Sequence, residues 1–192
     1  MTTQFYNPTT INQVTTFNSV AQEHSIEWND IAMISADTPA VTKYPLYTIS
    51  GLWMEKYLSN TNELWCTNLN IPDPNLPVLG IEFLLDMNRL ARVEDLLIQL
   101  ILNNELIGDN QASPVDPVQS NMYTGDNSPL LPIIGNYNIY GAADFMWGAD
   151  TLTSADVADP SFGIVFSFRS NQVYPHRDLV YVKQIGIRIT YG

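Results

Sequence analysis

The stretch Leu179-Val-Tyr-Val-Lys-Gln-Ile-Gly-Ile-Arg-Ile-Thr-Tyr-Gly192 decides the fold. Val180 and Val182 sit on its even phase, whereas Ile185, Ile187, Ile189 and Tyr191 sit on the odd phase. Side chains of a strand alternate with period two, so a regular strand cannot bring both sets to one face. One extra residue at Lys183-Gln184 restores the phase, which predicts a β-bulge there. Upstream, Phe162-Gly-Ile-Val-Phe-Ser-Phe168 reads as a second strand. Between Trp147-Gly148 and that strand, Leu152-Thr-Ser-Ala-Asp-Val157 reads as a short helical turn, expected near 153–158. The Thr153 hydroxyl can accept from the free amides of its first turn, Asp156 suits the positive end, and Pro160 stops it. With the final strand running to the last residue, the expectation is a domain that closes on its own terminal strand and leaves no tail for a further module.

Working outward, Val78 to Met87 places Ile81, Phe83, Leu85 and Met87 on one face against Glu82, Leu84, Asp86 and Asn88, a half-buried strand. Leu64 to Ile71 is a shorter strand, with Leu64 and Cys66 opposite Trp65, Thr67, Leu69 and Ile71. It stops at Pro72, which cannot donate to a ladder. Tyr47 to Leu58 alternates with apolar groups on both sides, and Trp28 to Tyr47 reads as irregular strand and loop. Val93 to Ile107 fits helical spacing as well, yet Asn103-Asn104 suits a two-residue turn because Asn tolerates positive φ, so a hairpin is expected. Ile139 to Phe145 is a candidate strand. Residues 109–138, with Pro114, Pro117, Pro129 and Pro132, form a long loop of the kind that carries contacts. Short strands without a long helix imply an all-β, antiparallel sandwich spanning 26–192. Residues 1–25, rich in Thr, Asn and Gln without sustained periodicity, read as an extended N-terminal arm that either docks on a neighbour or frays.

Composition narrows the function. Of 192 residues, 45% are hydrophobic and only 15% charged, against a usual charged share of about 25%. The surface is therefore neutral and hydrogen-bonding, suited to packing against other subunits. Net charge is −12, and the eight basic residues are scattered. Without a Lys/Arg cluster to displace counterions from phosphates, nucleic acid is not expected as a partner, nor is an anionic membrane. The N-terminus has neither a basic start nor an apolar run, so no signal peptide is expected, and no stretch is long enough to span a bilayer. Cys66 stands alone and reads as a small core residue.

Carboxylates recur in pairs: Asp73 with Asp86, Glu94 with Asp95, Asp144 with Asp150, and Asp156 with Asp159. A glycosidase needs two of them facing across a cleft, but most of these read as turn acids. Asp109-Asn110, Asp126-Asn127 and Asp73-Pro74-Asn75 offer oxygens for calcium without matching a loop spacing. His24 and His176 lack Cys or Glu at zinc spacing. No phosphate loop and no nucleophile elbow occurs. The expectation is therefore a protein without catalytic, metal or cofactor residues. Four Trp and ten Tyr residues leave room for sugar stacking as an alternative to core packing.

From Trp28-Asn29 onward the chain resembles a jelly-roll domain of structural proteins in tailed-phage virions. The marks are Leu69-Asn70-Ile71-Pro72, Leu79-Gly80-Ile81-Glu82-Phe83, Trp147-Gly148 followed by Leu152-Thr-Ser-Ala-Asp-Val157, Asp159-Pro-Ser-Phe-Gly-Ile164, and Val180 to Tyr191. The last fifty or so residues carry the specific part, and residues 1–25 have no counterpart. The resemblance implies a non-enzymatic virion component: a capsid decoration (cement) protein, with a head-fibre or tail-fibre receptor- or glycan-binding component as the alternative. It also implies a homo-oligomer, a trimer above all, that contacts the major capsid protein or another virion protein and is assembled in the host cytoplasm. The contact residues expected in the arm and the long loop are Phe5, Tyr6, Phe17, Pro114, Tyr123 and Pro129.

Overall fold

The structure is a computed structural model that describes residues 5–18, 23–25, 27, 28, 31, 51–54, 60–90, 93–112, 137–170 and 178–192. Its elements are β1 (Thr10–Val14), β2 (Phe17–Asn18), β3 (Glu23–His24), β4 (Gly51–Met54), β5 (Glu63–Thr67), β6 (Val78–Leu90), β7 (Val93–Leu102), β8 (Glu105–Ile107), β9 (Tyr137–Ala142), α1 (Ser154–Ala158), β10 (Gly163–Ser170) and β11 (Asp178–Tyr191). One sheet has the order β4-β11-β6-β9 and the other β1-β5-β10-β7-β8, with β2-β3 a separate pair. Every pairing is antiparallel.

From β4 onward the chain alternates between the two sheets, except at the hairpin β7-β8. Numbered one to eight from β4, the orders become 1-8-3-6 and 2-7-4-5, which is the jelly-roll arrangement of eight strands in two packed sheets. The fold class read from the sequence is thus the one observed.

The terminal strand is the hinge of this order. β11 lies between β4 and β6, and its register with β6 jumps from Val182↔Met87 to Gln184↔Asp86, leaving Lys183 as the extra residue. The bulge brings Val182, Ile185, Ile187 and Ile189 to the core while Gln184 is exposed. The Asn103-Asn104 turn is also as read: both residues have positive φ (54° and 63°), and Leu102 pairs with Glu105. α1 carries a full capping box, in which the Thr153 hydroxyl accepts from the Asp156 amide and the Asp156 carboxylate accepts from the Thr153 amide (2.8 Å).

The core lies between the sheets. Ile81, Phe83, Leu85 and Met87 of β6 face Ile164, Phe166 and Phe168 of β10. A chain of rings crosses it: Trp28 on Phe168 (6.0 Å between centroids), Phe168 on Phe166 (5.8 Å), Phe166 on Phe83 (5.8 Å) and Phe83 on Tyr140 (5.8 Å). Offset and edge contacts at such separations exceed the gain from area alone. Trp147 closes one end, fully buried, with its indole N–H on the Ile81 carbonyl (2.8 Å). Gly141 is required beside it, since a Cβ there would lie 2.5 Å from that indole nitrogen.

Two sequence boundaries shift. The stretch read as an arm separate from a sandwich at 26–192 contributes β1 to the edge of the five-stranded sheet, and Tyr6 exchanges two backbone hydrogen bonds with Ile187 (2.7 and 2.8 Å). Backbone pairing, which any sequence can make, places these residues where hydrophobic periodicity gave no signal. The loop expected at 109–138 ends at Tyr137, where β9 begins, and its residues 113–136 lie outside the described residues, as do most of Trp28 to Tyr47. The strand at 78–87, read as half-buried, is covered on both faces over 80–87: Glu82, Leu84 and Asp86 are buried although they point away from the core.

Candidate interaction surfaces

Of the six contact residues expected from the sequence, Phe5 and Tyr6 are described with their side chains. Tyr6 packs against the core. Phe5 lies over Gly186, where an added Cβ would stand a tight 3.1 Å from the Phe5 Cβ. The Arg188 guanidinium sits 4.6 Å from the centre of the Phe5 ring. Both residues are thus engaged by the chain's own four-stranded sheet. The Phe17 backbone pairs with His24 in β2-β3. Pro114, Tyr123 and Pro129 lie outside the described residues.

The outer face of the four-stranded sheet is built around an ion pair. Arg188 and Glu82 are register partners on β11 and β6, and the guanidinium meets the carboxylate with two N–H donors (2.6 and 2.7 Å). This fork geometry is the strong form of the contact. The hydrogen bonds to Glu82 push the Arg188 pKa above its ordinary value.

The outer face of the five-stranded sheet is different. Register places two rows across it: Thr10, Thr67, Gly163, Ile101 and Leu106, then Asn12, Trp65, Val165 and Gln99. Neither row holds a charge. Glu63 stands beside Trp65 and accepts its indole N–H (2.9 Å). At the far end Arg169 pairs with Glu94 (2.9 Å). The sequence reading placed Trp65 and Thr67 on one side of the strand but did not single out the row. The signal was the spacing Glu63-x-Trp65, which puts an acceptor beside an indole on one face.

Several of the remaining candidates are committed to the fold, whereas His176 and Asp126-Asn127 lie outside the described residues. Gln13 is the centre of a polar cluster under β1: its Oε1 accepts from the Trp28 amide (2.9 Å) and Asn62 Nδ2 (3.0 Å), and the Trp28 indole donates to the Asn62 carbonyl (2.9 Å). Asp95 accepts from the Tyr140 hydroxyl (2.9 Å) and Asp156 caps α1. The Ser154 hydroxyl and the Asn75 amide hold Asp73 below the usual carboxylate range, and Ser161 does the same for Asp159. The Asn110 side-chain Oδ1 accepts the Ile98 and Ala112 amides (both 2.9 Å), so the oxygen considered for calcium serves the backbone alongside β7. Cys66 is buried, and desolvation pushes its thiol pKa well up. Among the described residues no three His, Cys, Asp or Glu side chains gather as a metal site. No helix among them is long and apolar enough to cross a membrane.

No protein-family model, curated protein or solved structure matches the chain.

Proposed function

We propose that the protein is a structural component of a phage virion, a capsid decoration (cement) protein that binds the assembled shell by protein–protein contact. The observation that carries this reading is the eight-strand jelly-roll order, whose central strand β11 is formed by the same Val180–Tyr191 segment that bears the resemblance. Low charge density supports it, because a surface of Asn, Thr, Ser and Gln can be buried against a partner without desolvating ions. In this reading the chain acts as a homo-oligomer, favoured as a trimer, on the major capsid protein. The Pro-rich segment 114–132 makes the contact, since Phe5 and Tyr6 are already held by the chain itself. A stable attachment buries on the order of 1,600 Å² in total.

The test is co-sedimentation of purified protein with capsids that lack it, paired with cryo-electron microscopy of the parent particle. Saturable binding to shells, and loss of binding when residues 114–132 are replaced by a Gly-Ser linker, are expected. Density located on the tail would sink the reading.

A further inference from the structure

The row Asn12, Trp65, Val165 and Gln99 crosses four neighbouring strands, β1, β5, β10 and β7, on the outer face of the five-stranded sheet. At the usual strand spacing it is about 14 Å long. Trp65 is partly exposed, and its indole N–H is tied to Glu63, two residues back on the same face. That bond restrains the indole beside its own strand. Val165, directly opposite in register, points away from the core yet is fully buried.

Both ends of the row carry a primary amide. Asn12 is exposed. Gln99 donates its Nε2 to the Gly108 carbonyl (2.6 Å), which pins the amide and leaves Oε1 free to accept. Thr10 and Thr67 add hydroxyls in the next row. In a chain of net charge −12, these two rows carry no ion. The Glu63 carboxylate is occupied by the indole, and Arg169 and Glu94 neutralise each other.

We propose that this strip is a binding site for a neutral oligosaccharide. Trp65 is the stacking platform, and Asn12 and Gln99 are the hydrogen-bonding flanks. Sugars present C–H faces that pack on aromatic rings and hydroxyls that pair with planar amides, and the strip offers both in line. The absence of ions in the two rows matches an uncharged ligand: an anionic glycan would meet the field of the whole molecule, and a cationic one would find only an already paired carboxylate. This assignment is independent of where the protein resides in a particle.

The full chain is screened on an array of neutral and acidic glycans. Binding is then measured by titration calorimetry with cellohexaose, maltohexaose and chitohexaose. Saturable binding to at least one neutral glycan, insensitive to salt, is expected. Trp65→Ala weakens it on the order of tenfold or more, Trp65→Phe retains part of it, and Asn12→Ala and Gln99→Ala give smaller losses with an unchanged melting curve. Should Trp65→Ala fail to fold, the two amide variants decide, and unaltered affinity in both refutes the site. Absence of any neutral binder, preference for acidic glycans, or undiminished binding by a folded Trp65→Ala protein also overturns it.

Discussion

The two outer faces of the sandwich are finished by opposite means. On the four-stranded sheet the chain covers itself: Phe5 lies on Gly186, Arg188 sits against the Phe5 ring, and Glu82 answers Arg188, so Leu84 is buried without belonging to the core. On the five-stranded sheet the rows through Trp65 and Ile101 are neutral; exposed apolar side chains occur on both faces, Val14 (41%) and Leu106 (46%) here and Ile139 (52%) on the other. One face is closed over the Arg188–Glu82 pair, and the other carries hydrogen-bonding groups and the partly exposed Trp65.

The contrast presupposes a common core, and its largest test is to remove the residue that sets the phase of β11. Deleting Lys183 eliminates the bulge and turns either Val182 or the set Ile185, Ile187 and Ile189 to the wrong face. Each misplaced side chain costs roughly 1.5–3 kcal/mol, and three together approach a domain's whole margin of about 5–15 kcal/mol. The expected result is a chain without a cooperative thermal transition. A normal melt would show that the register can slip without loss.

Phe166→Ala, which leaves a hole shared by both sheets, is expected to cost about 3–5 kcal/mol in urea unfolding. Glu82→Ala leaves Arg188 partly buried without its carboxylate and is expected to cost about 1–3 kcal/mol. Replacing both Glu82 and Arg188 with Leu recovers most of that loss. Equal losses in the single and double variants would show that the pair does not act as a unit. Phe5→Ala uncovers Gly186 and removes the ring under Arg188, for about 0.5–1 kcal/mol.

The smallest effect is in alkali. Tyr191 has its pKa pushed up to about 12 by burial, then by Tyr6 and Asp73, and its hydroxyl has no hydrogen-bond partner. Its ordinary value is about 10. The folded state favours the neutral phenol, so this contribution to stability is complete below pH 10 and is lost as pH rises toward 12. Ultraviolet titration should show one late phenol, absent in Tyr191→Phe.

Features set by neighbouring residues were legible in the sequence. The Asn103-Asn104 turn, the Thr153 cap, and the bulge at Lys183 each follow from the local steric and hydrogen-bonding needs of a few consecutive side chains. So did the inward phase of Ile81, Phe83, Leu85 and Met87. What depended on distant partners was not legible. β1 joins β5 through backbone bonds to residues some fifty positions later, and its side chains alternate too weakly to announce a strand. Phe5 packs closely over Gly186, a feature of another element. The Trp65 row combines four strands, none of which holds more than one of its members.

The position of β11 also bears on how the chain is made. It follows both β4 and β6 in sequence, yet it fills the gap between them. Until it leaves the ribosome, both of those strands hold an open edge with unpaired amides and carbonyls, a template for other nascent chains. Assembly of the four-stranded sheet therefore waits for β11 with long loops to close, and slow folding follows from that ordering. Expression at lower temperature or with chaperones that shield strand edges is the practical remedy if the recombinant chain aggregates.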